Sequence, residues 1–132
     1  MYKRQNPHLY GGAPFLADTQ SGLFYPLNLL LSLLAPTFPY EALQWMAALH
    51  VFWAGLAMYL CLRYLDPARP LRPVAALTGA LAYMFSDLFV VHVGNLNLIA
   101  VAAWLPLVVL LFWRALRGRS LALAAAAGLV LG

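Results

Sequence analysis

YEALQWMAALHVFWAGLAMYLCLRYL, residues 40–65, decides the fold. No charged residue stands between Glu41 and Arg63. As a helix rising about 1.5 Å per residue, the stretch reaches close to 39 Å, enough to cross a hydrocarbon core of roughly 30 Å with some tilt. Pro39 suits the entry to a helix, and Glu41 suits the positive end of its dipole. DPARPLRP, residues 66–73, then breaks the helix with three prolines. Residues 40–65 therefore read as a transmembrane helix.

Toward the C-terminus the pattern repeats. VAALTGALAYMFSDLFVVHV (74–93) is a second span, GNLN (94–97) a polar turn, and LIAVAAWLPLVVLLFW (98–113) a third, shorter span that Pro106 is expected to kink. RALRGRS (114–120) reads as a basic loop, and 121–132 as the start of a fourth helix. Toward the N-terminus, the apolar part of PLNLLLSLLAP (26–36) is about half the length a span requires. It predicts a short interfacial or re-entrant helix over 27–35. Residues 1–26 read as an ordered loop, with Lys3 and Arg4 followed by an aromatic, Gly/Pro-rich stretch rather than the apolar core of a signal peptide.

Composition agrees. Of 132 residues, 64% are hydrophobic and 9% charged, against about 25% charged in soluble domains. Such a chain has too few charges to cover a water-facing surface. The net charge of +4 comes from arginines clustered beside apolar runs, which is the arrangement of topology signals and not of a nucleic-acid surface. Cys61, the single cysteine, excludes an internal disulfide. The chain reads as an all-α, polytopic membrane bundle, expected to be a piece of a longer protein because an apolar run is still in progress at Gly132.

Orientation follows from the arginines. Arg63, Arg69 and Arg72 mark one loop, and Arg114, Arg117 and Arg119 the other. Two spans separate them, so both can lie in the cytoplasm as positive loops do. Residues 1–26 and the 94–97 turn are then extracytoplasmic, with Lys3 and Arg4 as exceptions. Most other polar groups gather on that outer side: His8, Asp18, Gln20, Tyr25, Glu41, Gln44, His92, Asn95 and Asn97.

Several of these are candidates for chemistry, each with a structural alternative. Asp18, the only acid of the opening loop, is either a general base or cation ligand beside Gln20, or a turn cap before TQSG. His8 and His92 read as a metal pair, as proton-transfer groups, or as hydrogen-bonders at the membrane surface. His50 lies well inside the first helix, where an ionisable side chain either faces a functional interior or bonds a neighbouring helix. Asp87 either lines a polar cavity or, with Ser86, caps a helix break. Glu41 reads as a helix-start charge. The tryptophans and tyrosines read as interface belts and packing. Ala54 and Gly55, and separately Ala75, Gly79 and Ala82, offer small surfaces for close helix contact.

NPHLYGGAPFLADTQSGLFYPLNLL (6–30) resembles the block that follows the first membrane helix in the bacterial YfhO-like membrane proteins. The shared pattern runs N-P-x-x-x-G-G-x-P-x-x-x-D/N-x-Q-x-x-x-F-Y-P-x-N. LHVFWAGLAMYLCLRYL (49–65) and LTGALAYMFSDLFVVHVGNLNLIAVAAWLPLVVL (77–110) continue it in register, chiefly through H-x-G-N-L-N at 92–97 and W-L-P at 104–106. The similarity spans residues 6 to 113. It implies a GT-C-type glycosyltransferase of the bacterial cytoplasmic membrane, which moves a sugar from a polyprenyl-phosphate carrier to an extracytoplasmic glycan or polymer acceptor. It implies Asp18 as catalytic base or second acid, with a possible divalent cation. His8, Gln20, Tyr25, His50, His92, Asn95 and Asn97 become candidates for substrate binding, and Lys3 and Arg4 for the lipid phosphate. Two departures stand beside the resemblance: the first membrane helix with its acidic segment is absent here, and Asp87 replaces an expected glycine. A transporter or flippase piece, and a small structural subunit, are the alternative classes.

Overall fold

The computed structural model describes residues 5, 6, 13, 14, 25, 30, 33 and 40–131, in two compact units divided between Leu43 and Gln44. In the first unit, β1 (Gln5–Asn6) and β2 (Ala13–Pro14) pair antiparallel, with Gln5 opposite Pro14 and Asn6 opposite Ala13. The opening loop thus contains a short ladder that its sequence did not announce. Leu30 and Leu33 are helical and exposed; the rest of the expected 27–35 helix lies outside the described residues.

The remaining described elements are helices. α1 is Tyr40–Tyr64, α2 Pro73–Met84, α3 Asp87–Val91, α4 Leu96–Gly118 and α5 Leu121–Leu131. Three stretches are long and apolar enough to cross a membrane: Tyr40–Tyr64, Pro73–Val91 and Leu96–Gly118. α1 matches its expected bounds. The second span is interrupted where Ser86 takes an extended conformation, φ −67° and ψ 161°, which ends α2 and lets α3 begin at Asp87. The helix break read at Ser86–Asp87 is present, but the Ser86 side chain makes no capping bond, and exposed Asp87 stands in the first turn of α3. α4 begins at Leu96 because the Asn95 side chain accepts from the Leu98 amide at 3.2 Å. It continues past Trp113 through Gly118, into residues expected to be loop.

α1 and α4 run parallel, and two contacts fix their register. Trp53 and Trp104 meet with ring centroids 4.9 Å apart. One end down, the Asp66 carboxylate takes the Arg117 guanidinium at 3.1 Å. Both partners on α4 follow their α1-side partners by the same 51 residues. The two contacts are about 20 Å apart along the axis, so a skewed or antiparallel pair could not make both. The segments bearing Arg63, Arg69 and Arg72 and Arg114, Arg117 and Arg119 therefore share one end.

α2 runs the other way along α1. A Cβ added to Gly55 would lie 2.8 Å from Met84 Sδ, and one added to Gly79 would lie 2.5 Å from Leu62 Cδ1. Each helix thus offers a glycine to a long side chain of the other. The small face of α2 is Ala76, Gly79 and Ala80, not the expected Ala75–Gly79–Ala82 stripe, since Ala75 and Ala82 are exposed while Ala76 and Ala80 are buried.

The core sits toward the Asn95 end, where Ala47 and Ala54 of α1, Phe89 of α3 and Ile99, Ala102 and Ala103 of α4 converge. At the opposite end α4 turns into α5 through Arg119, which holds a left-handed φ of 47°. The Ser120 amide donates back to the Ala115 carbonyl at 3.1 Å, the closing bond of a Schellman turn. Large apolar side chains such as Val74, Leu77, Leu81, Phe85, Val90 and Val91 point outward along the second span. A row of that size is untenable in water and ordinary against lipid. The chain is a multi-pass membrane protein.

Candidate functional site

Among the described residues, one buried side chain is polar and ionisable: His50, 3% exposed. It stands ten residues into α1, about 15 Å from the helix start and so near mid-depth. Its Nδ1 lies 2.7 Å from the Met46 carbonyl one turn back. A carbonyl only accepts, so Nδ1 is the donor in this contact. That bond is not the only interaction His50 makes.

Three residues further along the same helix, Trp53 leans on Trp104 at an interplanar angle of 56°. The Trp53 indole N–H is buried without a hydrogen-bond partner among the described residues. Of the belt and packing roles read from the sequence, these two half-buried rings take packing, between α1 and α4. Trp45 and Trp113, nearer the helix ends, are exposed as belt residues are.

Across from them, Tyr83 of α2 donates its hydroxyl to the Ala102 carbonyl at 2.8 Å. The reason lies four residues on. Pro106 is inside α4 and has no N–H, so the Ala102 carbonyl lacks its helical donor. An orphaned carbonyl is unfavourable in lipid, and Tyr83 supplies the missing bond. The Tyr83 ring is held in turn by an edge contact with Phe89, centroids 5.4 Å apart. Sequence reasoning missed this pair; its signal was Pro106 itself, which frees a known carbonyl four residues upstream.

The membrane-spanning part thus holds three separate polar features: buried His50 on α1, the Trp53 indole N–H, and the Tyr83–Ala102 bond between α2 and α4. Polar side chains at such depth face the protein interior and are candidates for function. The other candidates stand elsewhere. His92 is exposed at the C-terminal end of α3, where its backbone amide donates to Leu88. Asn95 is exposed, with its side-chain oxygen engaged as the cap of α4. Asn97 is half-buried and carries an interaction of its own, as does half-buried Tyr25. Asp18, His8, Gln20, Lys3 and Arg4 lie outside the described residues. Among the described residues, no three of His, Cys, Asp and Glu gather as a set that could hold a metal ion.

At the other end Asp66 does three things. Its carboxylate accepts from the Ala68 amide at 3.2 Å, its carbonyl from the Arg69 amide at 3.1 Å, and Oδ1 also takes Arg117. Arg117 lies over the Trp113 ring, 5.0 Å from its centroid. Arg63 donates to the Leu71 carbonyl at 2.6 Å and so closes the loop after α1. Exposed pairs of this kind contribute roughly 0–1 kcal/mol. Their value here is in bringing two loops to one end.

Fold and geometry together define a helical, multi-pass membrane protein with a buried histidine in its first span. The chain matches no protein-family profile, no curated protein and no solved structure.

Proposed function

We propose that the chain is part of a GT-C-type glycosyltransferase of the bacterial cytoplasmic membrane, acting on a polyprenyl-phosphate-linked sugar and an extracytoplasmic acceptor. The observation that carries this reading is the shared arginine end. With Asp66 and Arg117 bonded, both basic segments lie together, and positive segments stay in the cytoplasm. The Gly94–Asn97 turn is then extracytoplasmic. In sequence, the stretch 6–26 leads into the start of α1, the end away from the arginines. The resemblance of 6–30 to the YfhO-like block supplies the activity.

On this reading Asp18 deprotonates the acceptor hydroxyl, whose oxygen attacks the anomeric carbon. The bond to the lipid phosphate breaks, and the phosphate leaves with the electron pair. Lys3, Arg4 and a divalent cation are candidates to stabilise that charge, and His92, Asn95 and Asn97 to hold sugar hydroxyls. The test is Asp18→Asn in the protein as it occurs in its native membrane. A general base contributes roughly 10²–10⁴-fold, so sugar transfer should fall by at least about a hundredfold at unchanged membrane abundance. Wild-type transfer would remove Asp18 from the chemistry.

A second reading, a transporter or flippase segment, draws on a different observation: the ionisable His50 buried at mid-depth in α1. It makes His50→Ala the damaging change and leaves Asp18→Asn silent.

A further inference from the structure

The arginine end carries more charge than orientation alone requires. Six of the eight cations of the chain, Arg63, Arg69, Arg72, Arg114, Arg117 and Arg119, lie there with a single acid, Asp66. Arg63 is engaged by the Leu71 carbonyl and Arg117 by Asp66. Arg69, Arg72, Arg114 and Arg119 are exposed and have no side-chain partner among the described residues. All six are arginine, the side chain whose planar fork pairs with two phosphate oxygens at once.

Two of these arginines also stand at electrostatically adverse positions. Arg72 is the N-cap of α2 and makes no side-chain capping bond; the first turn of α2 contains no acid. Arg119 directly precedes Ser120, whose hydroxyl caps α5 at the Leu123 amide, and the first turn of α5 contains no acid either. A helix N-terminus is its positive pole, where a cation destabilises and an anion is welcome. Arg119 further holds a left-handed backbone conformation although Gly118 is its neighbour. Two positive helix ends, each reinforced by an arginine, are balanced by Asp66 alone.

We propose that this end is a binding surface for the headgroups of anionic phospholipids, with the exposed Arg69, Arg72 and Arg119 among the cations that meet their phosphates. Clusters of four to eight arginines and lysines beside a membrane span attract anionic headgroups in this way. The surface lies at the level of the headgroups because α1, α2 and α4 all end or begin there. The inference does not depend on the glycosyltransferase reading and fails separately from it.

The test is competition between phosphatidylglycerol and phosphatidylcholine for the full chain in mixed nanodiscs, with retained lipid measured by native mass spectrometry after gentle release. The wild type should retain phosphatidylglycerol with a preference of roughly tenfold or more, weakened by high salt. Arg69→Gln/Arg72→Gln/Arg119→Gln should bring the preference to near parity. Should the triple variant not fold, Arg72→Lys/Arg119→Lys keeps the charge but loses the forks, and should reduce the preference. Equal retention of the two lipids by the wild type, or an undiminished preference in whichever variant folds, overturns the proposal.

Discussion

The two seams that α1 makes are built on opposite plans. Against α2 it meets its partner through glycine: Met84 fills the gap over Gly55, and Leu62 the gap over Gly79. Against α4 it meets its partner through bulk, Trp53 on Trp104, with an ion pair at the arginine end. The difference follows from connectivity. α2 succeeds α1 after one short loop and needs only a surface that admits it. α4 arrives after a whole further span, and large side chains with directional contacts set its register. Inside lipid the apolar surroundings give no hydrophobic gain for helix pairing, so shape and hydrogen bonds decide which helices meet.

The comparison breaks first on the glycine side. Gly55→Leu places a branched side chain where Met84 already lies, and overpacking of this kind costs about 1–3 kcal/mol. In an SDS-titration unfolding assay this variant should lose more stability than any substitution on the α4 side. Met84→Ala in the same chain should restore much of the loss, because the obstruction is that side chain; no rescue would mean that α1 and α2 do not meet there.

The second prediction concerns the α4 side and is smaller. Tyr83→Phe leaves the Ala102 carbonyl unpaired, and interhelical hydrogen bonds of this type contribute on average about 0.6 kcal/mol and at most about 1.7. The comparison sharpens in a Pro106→Ala background. There α4 regains the amide that Pro106 lacks, so Tyr83→Phe should cost almost nothing. An undiminished cost in that background would sever the link between Tyr83 and Pro106.

The boundaries of α1 were legible because punctuation surrounds it: Pro39 and Glu41 before, Arg63 and Pro67 after. The loop parity was legible for the same reason. The phase of α2 was not. It is apolar nearly all round, so periodicity does not say which of Ala75, Ala76, Gly79, Ala80 and Ala82 face protein, and the choice falls to the helix that packs on it. The break at Ser86 was visible only as one of two options, since a single extended residue leaves no pattern. His50 was legible as a mid-depth polar residue, whereas the Tyr83–Ala102 bond was not, because its partners come from two different helices. The left-handed turn ran against the usual signal, since Gly118 stands one residue before the position that adopts it.

The central claim is that the arginine segments share the cytoplasmic end and the Gly94–Asn97 turn the extracytoplasmic one. Site-directed labelling tests it directly, and Cys61→Ser removes the only competing thiol. In that background, Gly94→Cys and Ala68→Cys are each treated with a membrane-impermeant maleimide on intact cells and again after permeabilisation. The account predicts that position 94 labels on intact cells and position 68 only once the membrane is opened. Labelling of both from the same side would contradict the single span between them, and the reverse pattern would contradict the orientation on which the proposed function rests.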